Sequence, residues 1–83
     1  MKISDIINVN GDVNVKKLMR VIDAVEANGI WDKVGTDYYK VKMAVRNNVI
    51  PGNFSGLVRS FIADVTTNAT AMRLVNIECQ FQR

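Results

Sequence analysis

Between positions 39 and 47 the chain places Tyr39, Lys40, Lys42, Met43, Arg46 and Asn47, side chains whose types suit the capture of a partner. Lys and Arg neutralise phosphates, Arg carries the paired donors that read guanine, and Asn offers a donor and an acceptor that match adenine. On the exposed side of a helix they would meet the needs of a nucleic-acid interface. Exposed Tyr, Met and Arg are equally what protein-binding patches favour, so the same face also fits a host-protein contact. A third reading makes the cations a solvated surface with no partner.

Chemistry of other kinds has little to stand on. The chain has no histidine, which removes the usual general base near neutral pH and the usual zinc ligand beside cysteine. Its one cysteine, Cys79, has no intramolecular disulfide partner and no imidazole to activate it, and reads as a small apolar residue. Asn8, Asn10 and Asp12 alternate as at the start of a calcium loop, but only Asp12 is charged and the turn glycine and closing acid of such a loop are out of place. Neither a Walker loop nor a GxGxxG run is present, and Asp23 and Glu26, at i, i+3, read as solvated surface carboxylates. We expect a non-enzymatic protein with no cofactor and no metal.

Charge is distributed by region. Residues 1–32 hold Lys2, Lys16, Lys17 and Arg20 against Asp5, Asp12, Asp23, Glu26 and Asp32, so they nearly balance. Residues 38–63 hold Lys40, Lys42, Arg46 and Arg59 and no acid, which concentrates the net charge of +3 in the middle of the chain. No apolar run nears the ~20 residues that cross a bilayer, and Asp5 and Asn8 interrupt any signal-peptide core. The sequons at Asn53 and Asn68 then have no role, and a cytoplasmic location with no membrane contact is the expectation.

The elements that must position these residues are mostly helical. Leu18, Val21, Ile22 and Val25 share one face of a helix over 15–28, with Asn14 or Asp12 to cap its start and Gly29 to end it. Ile30, Trp31 and Val34 form a short helical turn pressed on the core. Thr36 caps a second helix, 37–47, whose Tyr38, Val41, Ala44 and Val45 face inward; Tyr39, Met43, Arg46 and Asn47 then face out, with Lys40 and Lys42 at the margins. Pro51-Gly52 marks a turn, after which Asn53 or Ser55 caps a third helix, 56–66, with the widest apolar stripe: Leu57, Val58, Phe61, Ile62 and Val65.

Val75, Ile77, Cys79 and Phe81 alternate with polar residues, a period of two that predicts a half-buried strand. That strand needs a neighbour, which is either the N-terminal segment or its own copy across a homodimer. Within the N-terminal segment, Asn10-Gly11 between Val9 and Val13 signals a type I′ hairpin; an irregular lead-in to the first helix explains the same letters.

Residues 30–51 resemble the helix-turn-helix of small Cro-type phage repressors, with Val34-Gly35 at the turn, Thr36-Asp37 at the start of the recognition helix, Val41 and Ala44 inward, and Val49-Ile50-Pro51 closing it. The resemblance covers about a quarter of the chain and implies a small phage-type regulator that binds nucleic acid through helix 37–47. The expectation is therefore one domain, 1–83, of α+β class and mainly helical: a three-helix core with a C-terminal strand. Its expected function is nucleic-acid binding through Tyr39, Lys40, Lys42, Met43, Arg46 and Asn47; the alternative is a phage-type inhibitor that grips a host protein with the same face.

Overall fold

The computed structural model describes residues 1–79, in which five α-helices follow one another: α1 (Ile3–Ile6), α2 (Val15–Ala27), α3 (Asp37–Asn47), α4 (Phe54–Thr67) and α5 (Ala69–Cys79). A 3-10 turn, Trp31–Lys33, lies between α2 and α3. The helices expected over 15–28, 37–47 and 56–66 are α2, α3 and α4. Asn14 caps α2 by accepting the Lys17 backbone N–H (3.1 Å), and Gly29, at φ 62°, turns the chain away from its other end.

α4 runs through the middle of the core. Its Val58, Phe61, Ile62 and Val65 are sealed from solvent in one core with Tyr38 and Val41 of α3, the α2 stripe of Leu18, Val21, Ile22 and Val25, and Ala71 and Val75 of α5, and α4 packs most closely on α3 and then on α5. Each such side chain contributes on the order of 1.5–3 kcal/mol by leaving water. No charged side chain is buried among the described residues, so every ionic contact lies at the surface.

Several expectations need correction. The strand over 75–81 is absent: up to Cys79 the chain is helical, and Phe81 lies outside the described residues. Among the described residues no β-strand exists, so the class is helical rather than α+β. The alternation misled because Val75 serves either period. Val75 pairs with Ala71 at i, i+4 to make a buried stripe, beside Leu74 at i+3, while Ile77, which a strand would have buried with it, is 61% exposed. α5 packs mainly on α2, and among the described residues no strand is left that would need the N-terminus or a second subunit as neighbour.

The N-terminal loop is an irregular lead-in to α2 rather than the type I′ hairpin that Asn10-Gly11 signalled, although its ends do meet. Ile7 and Val13 form a single antiparallel bridge, and the Asn8 N–H donates to Asp12 O across a loop longer than a two-residue hairpin. Gly11 alone takes positive φ there, at 85°, so the turn is not type I′; the Asn8 side chain instead accepts the N–H groups of Asn10 and Asp12. Thr36 makes no side-chain cap, and neither does Asn53. Trp31 is 46% exposed rather than pressed on the core, whereas its neighbours Ile30 and Val34 are buried. No described helix is long and apolar enough to cross a membrane.

Candidate functional site

Helix α3 exists because Tyr38, Val41 and Ala44 recur on one side and fit against α2 and α4. Its last turn ends at Asn48, which adopts the left-handed conformation (φ 55°) and returns its N–H to Ala44 and Val45. That reversal carries Val49 and Ile50 outward, where they are 69% and 52% exposed. Pro51 then prevents further helix until Phe54.

The structure divides the six expected site residues between two edges of α3. On the edge facing α2, Lys42 Nζ reaches Glu26 Oε2 at 2.9 Å, Arg46 Nη2 donates to Glu26 Oε1 at 2.6 Å, and Arg46 lies 3.6 Å from Asp23. The Tyr38 hydroxyl also donates to Glu26 Oε2, at 3.1 Å. Glu26 is therefore the hub of the contact between the two helices, not the solvated carboxylate expected of it. The bond from Lys42 is the main force holding its carboxyl below the ordinary 4.5; those from Tyr38 and Arg46 add to it and together they outweigh its partial burial.

Tyr38 ties this surface network to the core. Its ring is buried beside Phe61, with centroids 6.0 Å apart, and Lys42 Nζ lies 5.7 Å from the ring centre. Burial first, and the hydrogen bond to the Glu26 carboxylate second, together hold its phenol up at about 12 and so favour the neutral form.

Tyr39, Lys40, Met43 and Asn47 remain on the outward edge, all exposed. Tyr39 rests edge-on against Tyr38 (4.9 Å, 63°), and Met43 is 54% exposed. Lys40, Met43, Ala44 and Asn47 form one wall of a groove of about 500 Å³; Val49, Pro51 and Leu57 complete it. The walls are mostly hydrocarbon. Lys40 has no ion pair among the described residues.

Sequence reasoning thus missed Asp23 and Glu26, and it missed the groove residues contributed from outside α3. A signal for the first was present: acids at i, i+3 beside the apolar stripe of one helix, and Tyr38, Lys42 and Arg46 stacked at i, i+4, i+8 on another. For the groove there was none, because it depends on where Asn48 turns the chain. Comparison with family models, with curated proteins and with solved structures finds no match to this chain.

Proposed function

We propose that the protein is a non-enzymatic binding module whose partner is another protein, docked on the outward edge of α3. The observation that carries this reading is the division of the helix. Lys42 and Arg46, the cations on which nucleic-acid binding would most depend, are matched by Glu26 and Asp23, while Met43 and Val49 stay exposed along an apolar groove and Tyr39 is exposed on the same helix. A phosphate approaching Lys42 or Arg46 would meet carboxylates already in place and would have to displace them. Aromatic and Met side chains around a desolvated centre, by contrast, are the composition of protein interfaces.

Two measurements with the full chain test the reading. Immobilised wild type should retain a protein from cell lysate that Met43→Asp does not, and fluorescence anisotropy with duplex and single strands should show no salt-sensitive complex. The opposite result is a nucleic-acid complex whose affinity falls at least tenfold between about 50 and 200 mM salt, with no protein lost on Met43→Asp. That pattern would replace the protein-docking reading with a regulator of the phage-repressor kind.

A further inference from the structure

Lys40 differs from every other feature of the groove, because it is a cation on an apolar rim with no ion pair among the described residues. All seven groove residues fall within 38–63, the stretch that carries four cations and no carboxylate. Elsewhere on the same helix the protein supplies its own counter-charges: Lys42 and Arg46 meet Glu26 and Asp23 across the α2 contact. On the groove side no carboxylate lines the walls, and the one acid of α3, Asp37, is taken up by the Ser60 hydroxyl of α4, which donates to it.

We propose that the groove takes an acidic, amphipathic segment of the partner, with apolar side chains between Met43, Val49, Pro51 and Leu57 and a carboxylate on Lys40. This rests on the protein-docking reading above and narrows it to one partner chemistry. A volume of about 500 Å³ falls within the ~300–1,000 Å³ range of ligand pockets, and at roughly 100 Å³ for an aliphatic side chain it has room for a few of them. Charge settles the choice between this occupant and a second copy of the chain. A two-fold contact through the groove would place two Lys40 side chains and two acid-free walls against each other, in a molecule whose net charge is already +3. An acidic segment meets the same surface with the opposite sign.

Selection of random linear peptides on the full chain tests the proposal without knowledge of the natural partner. Enriched peptides should combine Asp or Glu with Leu, Ile or Phe, should bind more weakly as salt rises, and should perturb the amide resonances of Lys40, Asn47 and Val49. Lys40→Glu and Val49→Asp, both at exposed positions, should each weaken such a peptide about tenfold or more while the thermal melt stays in place. Enriched peptides that are neutral or basic, or acidic ones indifferent to Lys40→Glu, overturn the proposal. Where those peptides still lose affinity on Tyr39→Ala or Met43→Asp, protein docking on α3 survives and only the acidic occupant falls. If no peptide is enriched and no lysate protein depends on Met43, both readings fall together.

Discussion

The edge of α3 that carries Lys42 and Arg46 lies against α2 and finds Asp23 and Glu26 there, whereas the edge that carries Lys40, Met43 and Asn47 faces Val49, Pro51 and Leu57 and finds no acid. Both edges belong to one short helix in the most basic part of the chain, and both hold cations at helical spacing. What separates them is the element each one meets. A count of Lys and Arg along a helix therefore does not define an electropositive surface; the potential depends on which carboxylates the fold brings within a few ångströms.

The two edges stand on one foundation, and the largest expected effect comes from removing it. Phe61 is sealed in the core beneath Tyr38. Phe61→Ala should cost about 3–5 kcal/mol, read as a shift of the denaturant midpoint, with binding and the Glu26 network lost together. A variant that keeps either edge intact at such a loss of stability would show that α3 is held by something other than α4.

On the paired edge the effects should be smaller and should depend on pH. Tyr38→Phe removes the hydroxyl that donates to Glu26 and should cost about 0.5–1.5 kcal/mol at neutral pH. In the wild type the folded phenol titrates at about 12 against 10.0 for the ordinary group, so the native state favours the neutral form. Stability present below pH 10 should then fall as pH rises from 10 toward 12, and Tyr38→Phe should flatten that limb. Glu26 acts at the other end of the range. Its folded value lies below 4.5, so its contribution is present above 4.5 and is lost as pH falls through the lower folded value; Glu26→Gln should remove that dependence. Urea melts across pH measure both limbs, and flat wild-type profiles would dissolve the network on which the comparison rests.

How much of this was legible beforehand follows the same division. The apolar stripes of α2, α3 and α4 could be read directly, because Leu18, Val21, Ile22 and Val25, or Val58, Phe61, Ile62 and Val65, repeat at helical spacing and must be buried whatever they meet. The α5 stripe was concealed because two periods share Val75, and a period of two over a few residues says nothing about what lies on the opposite face. Which residues outside α3 reach Lys42 or surround Met43 is a question of tertiary approach. Local spacing placed Tyr39, Met43 and Arg46 on one side, but helix packing turned Arg46 toward α2 and left the other two in solvent.

The smallest effects should appear on the open edge, and their smallness is itself informative. Lys40 and Met43 are exposed, and alanine is at least as good a helix former as either, so Lys40→Ala and Met43→Ala should each change stability by no more than about 0.5 kcal/mol. Arg46→Ala supplies the contrast: it breaks contacts to Glu26 and Asp23 across partly exposed side chains and should cost about 0.2–1 kcal/mol, screened by salt. If Met43→Ala costs more than about 1 kcal/mol in a guanidinium melt, Met43 packs on Pro51 and Leu57 in solution. The groove would then be closed by its own wall, with no room for a partner's apolar side chain. A loss near zero leaves Met43 as an exposed apolar group held at the groove's edge without benefit to folding, which is the condition a docking surface requires.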